Sequence, residues 1–194
     1  MTNQPQIDEP LFPSFLKLRG RSVLLVGGGA VAVAKHASLV TAGARVTVVA
    51  PAIDERLRQP GTTLVERGFE PADLDGAWFV VAAATPEVNQ RVAAAAEERH
   101  LFVNAVDDVS AASAYAGGVV RRGPITVAVS TGGGAPALAG LLREALDAVL
   151  PADLERWLTT ARALRPEWRA GGVPMEARRP LLLEALNRLY QERA

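Results

Sequence analysis

Short apolar runs and longer amphipathic stretches alternate along the first half of the chain. Ser22–Val26 (SVLLV), Arg45–Ala50 (RVTVVA), Trp78–Ala84 (WFVVAAA) and Leu101–Val106 (LFVNAV) are rich in Val, Leu and Phe and too short to be helices, with a weaker run at Thr62–Arg67. Helical patterns lie between most of them. One runs from the glycines after Val26 to about Thr41, with Gly43 ending it, and another covers Asn89–His100 (NQRVAAAAEERH). Near-continuous apolar strands separated by helices predict a parallel sheet covered on both faces, a Rossmann-like doubly wound α/β domain, with its sheet between about residues 20 and 112. After Ser110 the pattern changes. Ala114–Arg121 and Ile125–Ser130 flank Arg122-Gly123-Pro124 and read as an antiparallel hairpin. Helices follow over Ala137–Val149, Leu154–Leu164 and Met175–Arg193, with breaks at Pro151, Pro166 and Gly171-Gly172-Val173-Pro174. Three regions result: 1–112, 113–150 and 151–194. Residues 1–10 are polar and Pro-punctuated and read as a mobile lead-in.

Composition narrows the chemistry. The 194 residues are 49% hydrophobic, enough for a sizeable core, and the 21 basic side chains are balanced by 21 acidic ones. Zero net charge and 5% aromatic content argue against nucleic acid or an anionic membrane surface as partner, and any anionic ligand must be met by local donors. With no Cys and only His36 and His100, thiolate catalysis, disulfides and Cys- or His-rich metal centres drop out, and no metal site is expected. Redox chemistry then needs a borrowed cofactor. No secretory signal and no membrane-length apolar run is apparent, so a cytoplasmic location is expected. His36 and His100 read as ordinary surface or packing residues.

Gly27-Gly28-Gly29-Ala30-Val31-Ala32 fits G-x-G-x-x-G/A where a strand becomes a helix. Gly27 would permit the tight turn, Gly29 the approach of a pyrophosphate to backbone N–H groups, and Ala32 close helix–strand packing. The alternative is a glycine turn that only packs. The acid that usually binds the ribose is missing from Val48-Val49-Ala50-Pro51; Asp54 and Glu55 come later, either to bend back or to serve as helix-start charges. Ala84 and Thr85 end the fourth strand, where Thr85 could meet a nicotinamide or cap the next helix. Asn104-Ala105-Val106-Asp107-Asp108 ends the fifth, and at most one of the two aspartates should face the crevice, as an acid/base group or as a loop cap. Ser130-Thr131-Gly132-Gly133 opens a second Gly-rich turn, either a set of donors for carboxylates or a flexible connection. Arg121, Arg122 and Arg143 are solvated charges or clamps for acidic groups.

Leu11-Phe12-Pro13, Val26-Gly27-Gly28-Gly29, Ala83-Ala84-Thr85 with Asn89-Gln90-Arg91-Val92, Asn104-Ala105-Val106-Asp107, Val127–Gly133 and Leu141-Leu142-Arg143-Glu144 occur in the order of a known family. Over about residues 11–151 the chain resembles the precorrin-2 dehydrogenase/sirohydrochlorin ferrochelatase family, the siroheme-synthase N-terminal module. The resemblance implies an NAD-binding Rossmann-like domain, a dimerisation region at 113–150, a C-terminal helical region and a homodimer. It implies dehydrogenation of precorrin-2 to sirohydrochlorin with NAD, followed in some members by insertion of ferrous iron. Asp107 matches the family aspartate implicated in both steps. Ala30, Val31, Pro51 and Ala52 match its cofactor contacts, and Thr131 a hydroxyl of the substrate loop; Asn104, Ser130, Gly132, Gly133 and the three arginines are the further substrate candidates. The chain departs from the family at Val33-Ala34, at Ser113–Gly118 and at Gly134. Chelatase-only action and non-enzymatic dinucleotide sensing are the rival readings.

Overall fold

A computed structural model describes residues 10–191. The expected lead-in at residues 1–10 therefore lies almost wholly outside the described residues. Five parallel strands form one sheet in the order β3-β2-β1-β4-β5: β1 Ser22–Val26, β2 Arg45–Val49, β3 Thr63–Val65, β4 Phe79–Ala82 and β5 Val103–Ala105. Side-chain alternation sends Val23 and Leu25 of β1 to one face and Leu24 and Val26 to the other. The first face packs against Ala32 and Leu39 of helix α1 (Ala30–Thr41), the second against Val92, Ala95 and Ala96 of α2 (Pro86–Glu97). The doubly wound Rossmann-like expectation is met.

The helix ends explain where the sequence reading was off. Thr85 is extended and Pro86, with its φ fixed, opens α2 three residues before Asn89. His100 turns left-handed at φ 55°, and the Leu101 N–H reaches back to the Ala96 carbonyl at 3.0 Å, so the chain leaves the helix before the expected end. Gly43, at φ 77°, closes α1 in the same manner, as expected.

By backbone contacts the chain divides into two compact units. The first is Met1–Ala116 with Ser130–Pro136, and the second is Gly117–Val129 with Ala137–Ala194. In the second unit β6 (Gly118–Arg122) and β7 (Ile125–Val129) form the anticipated hairpin, with Gly123 at φ 55° opening the two-residue turn that Pro124 completes. β6 starts later than its apolar pattern suggests because Ser113 and Ala114 are already spent on β5: both of their N–H groups donate to the Val103 carbonyl. Helices α3 (Pro136–Val149), α4 (Leu154–Ala170) and α5 (Met175–Gln191) complete the chain, α3 starting within the first unit at Pro136. Pro166 does not break α4. It sits on an exposed face, where the single missing N–H bond is tolerated in a helix of 17 residues, and the stop comes at Gly171-Gly172 instead. No helix among the described residues is long and apolar enough to cross a membrane.

Candidate functional site

The strand order reverses between β1 and β4, and ligands of open α/β sheets lie outside the strands' carboxyl ends at that point. Gly27 sits there at φ 126°, and a Cβ on it would fall 2.2 Å from the Ala83 carbonyl oxygen. At Gly28 a Cβ would come to 1.9 Å from the Ala52 carbonyl oxygen. Both residues are glycines because neighbouring backbone fills the space. Gly29 differs: nothing lies within 4 Å of a Cβ placed there. It is the N-cap of α1, carries no capping side chain, and leaves the first N–H groups of the helix without intrahelical partners. Open space faced by unpaired donors at a positive dipole end fits a dinucleotide pyrophosphate. Ala30, Val31, Pro51, Ala52, Ala84 and Thr85 are all exposed around this turn, and Ala32 is fully buried beneath it.

Thr85 does not cap α2 through its side chain. The Glu87 carboxyl is held below the usual carboxylate range by its own backbone N–H and by the Thr85 hydroxyl beside it. Asn89, buried in the first turn, was not singled out for a role by the sequence. Its Oδ1 accepts from the Ala84 N–H at 3.0 Å and its Nδ2 donates to the Val106 carbonyl at 3.4 Å. It thus ties the ends of β4 and β5 together; a helix-start Asn after a strand is the only signal that could have suggested this.

Asp107 follows directly. It is exposed and held at φ 58°, a left-handed conformation that costs a non-glycine residue free energy unless its surroundings impose it. Asp108 turns the other way, accepting from the N–H groups of Ser110 and Ala111 and from the Ser110 hydroxyl, so it is the loop cap of the pair. Asn104 is buried; its Nδ2 donates to the Ala114 carbonyl at 3.0 Å while its Oδ1 has no partner among the described residues.

The Gly-rich turn at 130–134 belongs to this first unit. Gly133, at φ 80°, is pressed against Val109 and Tyr115, where a Cβ would come to 2.9 Å and 3.1 Å, so the turn lies beside the loop that follows Asp107. The Ser130 hydroxyl accepts from the Gly132 N–H and Thr131 Oγ1 from the Ala135 N–H. Gly132 lies next to the Leu11 side chain.

The arginines are in the second unit. Arg122 pairs with the Asp147 carboxylate at 2.7 Å and also donates to its carbonyl; Arg143 pairs with Glu144 at 3.0 Å. Arg121 is exposed and has no ion pair among the described residues. His36 is buried and shares a 2.8 Å hydrogen bond with Thr62 Oγ1, a packing role as expected. No group of three or more His, Asp or Glu among the described residues could hold a metal ion.

Residues 14–118 match the family described as "Putative NAD(P)-binding", and residues 122–148 match the "Sirohaem biosynthesis protein central" family. Siroheme synthase 1 of Aeromonas salmonicida is 44% identical over 172 residues, covering 86% of this chain and 37% of the relative. Siroheme synthase of Citrobacter koseri is also 44% identical over 172 residues, covering 86% and 38%. The chain thus spans less than two-fifths of the length of these curated relatives. A solved structure titled "SirC, precorrin-2 dehydrogenase" superposes with a TM-score of 0.67 at 24% identity, covering 90% of this chain and 88% of that one, and so shares its fold. Matched over residues 14–118, more than half of its length, this chain belongs to the NAD(P)-binding family of that first match.

Proposed function

We propose that this chain is the precorrin-2 dehydrogenase of siroheme biosynthesis: with NAD it oxidises precorrin-2 to sirohydrochlorin, releasing NADH and a proton. The observation that carries the reading is Asp107, a carboxylate in a left-handed conformation at the end of β5, tied through Val106 and Asn89 to the end of β4 beside the glycine cradle. The names of the relatives and of the structural neighbour supply the substrate.

NAD, when bound, supplies the hydride acceptor. The chain's own part is to seat the pyrophosphate on the N–H groups of Gly29, Ala30 and Val31, and to place the nicotinamide end along Ala84 and Thr85. Asp107 acts as general base, its carboxylate taking the proton that the oxidised tetrapyrrole loses. Ser130, Thr131, Gly132 and Gly133, with Asn104, form the substrate side of the first unit; among the arginine candidates of the second, Arg121 has no ion pair among the described residues, whereas Arg122 and Arg143 would have to exchange their present partners to meet a substrate carboxylate. The same aspartate suits deprotonation of the macrocycle when ferrous iron, as a second substrate, is inserted.

The working unit is a homodimer in the cytoplasm, with 1–112 as the dinucleotide region, 113–150 as the dimerisation region and 151–194 as a helical region. Exposed leucines on α3 support the dimer: Leu138, Leu141 and Leu142, spaced i, i+3 and i+4, form one exposed apolar stripe along the helix.

Anaerobic mixing with precorrin-2 and NAD tests the reading through NADH absorbance. The wild type forms NADH, whereas Asp107→Ala loses about 10²- to 10⁴-fold in turnover with NAD affinity within a few-fold. Absence of NADH in the wild type, where a relative produces it, overturns the reading; near-normal turnover of the variant removes Asp107 from the general-base role.

A further inference from the structure

In a Rossmann-like domain the adenosine ribose lies against the carboxyl end of the second strand, where an acid selects the 2′-hydroxyl of NAD and an arginine accepts the 2′-phosphate of NADP. β2 ends here in Val49-Ala50-Pro51, which carry neither. The first ionisable side chain beyond it is Asp54, and its position is fixed by the cradle itself: the Asp54 N–H donates to the Gly28 carbonyl at 2.9 Å. Two residues on stands Arg56, whose planar fork of donors suits a phosphate.

That fork already holds a carboxylate. Asp54 Oδ1 accepts from Arg56 Nε at 2.9 Å and from the Arg56 backbone N–H at 2.9 Å, while Oδ2 accepts from the guanidinium at 2.7 Å. The neighbouring Arg58 is likewise held between Glu55 at 3.1 Å and Glu66 at 2.6 Å. Both guanidinium groups of this strip therefore have their charge paired with carboxylates before any ligand arrives.

We propose that Asp54 is the residue that selects NAD over NADP, by holding Arg56 in a bidentate pair and so denying a 2′-phosphate its cation. A phosphate entering here would have to share Arg56 with the Asp54 carboxylate or displace it and remain beside it, two like charges at close range. The Arg56 guanidinium and backbone N–H hold the Asp54 carboxyl down to about 2, so the carboxylate stays ionised throughout the neutral range. Selection against a phosphate thus requires no acid on the ribose hydroxyl, and the acid missing from the end of β2 is replaced in function by one that neutralises a neighbour.

The inference rests on the dinucleotide reading of the glycine turn, and equilibrium titration with NAD and NADP in the absence of tetrapyrrole separates the two. The wild type should bind NAD and prefer it to NADP. Asp54→Ala, which frees Arg56, should bind NADP at least about tenfold more tightly than the wild type, with NAD affinity changed by no more than a few-fold. Asp54→Asn keeps an oxygen for the Arg56 N–H, preserving the turn, and should show a smaller gain. The gain should weaken with salt and vanish in Asp54→Ala/Arg56→Ala. Variants that still bind NAD but bind NADP no better than the wild type, or a gain that survives removal of Arg56, would overturn the role of Asp54. A wild type that binds neither dinucleotide would overturn the cradle reading itself.

Discussion

The two compact units spend their apolar residues differently. In the first, β1 buries four of its five residues and the sheet is covered on both faces by α1 and α2. In the second, β7 has no fully buried residue, α5 has none, and α3 buries only Ala139 while leaving Leu141 63% and Val149 81% exposed. A helix apolar on more than one side is ordinarily enclosed on more than one side. The first unit therefore carries its own core, and the second has the surface of something meant to be covered, in keeping with the proposed dimer.

Matched truncations break the comparison most directly. Leu25→Ala, in the middle of β1 and fully buried, should cost about 2–5 kcal/mol in denaturant unfolding, whatever the protein concentration. Leu141→Ala should change unfolding of the dissociated chain by no more than about 0.5 kcal/mol, yet raise the dimer dissociation constant roughly tenfold in sedimentation equilibrium. If Leu141→Ala were as destabilising as Leu25→Ala at every concentration, the α3 face would be packed within its own chain and the contrast would fail.

The same contrast explains what could be read from the sequence. Strands β1 and β2 were legible almost to the residue because a parallel sheet between two helix layers demands unbroken apolar runs, and few other structures do. The glycine cradle was legible because strand, glycines and helix follow in one short segment. What escaped depends on contacts distant in sequence. Pro166 looked like a stop, because the exposure that makes its missing bond harmless is a property of the folded helix. Ala114 looked like the start of a strand because its attachment to Val103 spans eleven residues. Asp107 and Asp108 are adjacent and chemically identical; only the left-handed turn at one and the three bonds accepted by the other tell them apart. Asn89 was visible as a helix-start residue, but its bond to Val106 joins positions 17 apart.

A smaller effect, local to the site, is expected at that residue. Asn89→Ala strands the Ala84 N–H and the Val106 carbonyl, costing about 1–3 kcal/mol of stability, and in the proposed reaction should lower turnover more than it raises the KM for the tetrapyrrole, since it loosens the seat of the proposed base Asp107 and no proposed substrate contact. Asn89→Asp keeps the acceptor for Ala84 and loses the donor to Val106 until its carboxyl is protonated. Its turnover relative to wild type should therefore rise as pH falls. A ratio flat in pH, with KM alone affected, would reduce Asn89 to ordinary packing.

The smallest expected effect is a pH dependence confined to the first unit, at His36. Burial pushes its imidazole below the usual value of 6.5, and the one polar partner among the described residues, Thr62, sits on the chain just before β3. The unfolded chain thus takes up a proton at a pH where the folded chain does not. Its contribution to stability is fully present above about pH 6.5 and declines as pH falls from there toward the lower folded value. The carboxylates of Asp54 and Asp73 are held below the usual range by their arginine partners, so the stability they contribute is lost only at more acidic pH and leaves this window clear. Urea unfolding midpoints should drop modestly between about pH 7.5 and about pH 5.5 in the wild type, and the drop should shrink in His36→Gln, which fills the site without titrating. An equal drop in the variant would place the dependence on another group. Because His36 lies on the buried side of α1, is bonded to Thr62 just before β3 and is not one of the proposed site residues, NAD affinity at neutral pH should be the same in both proteins.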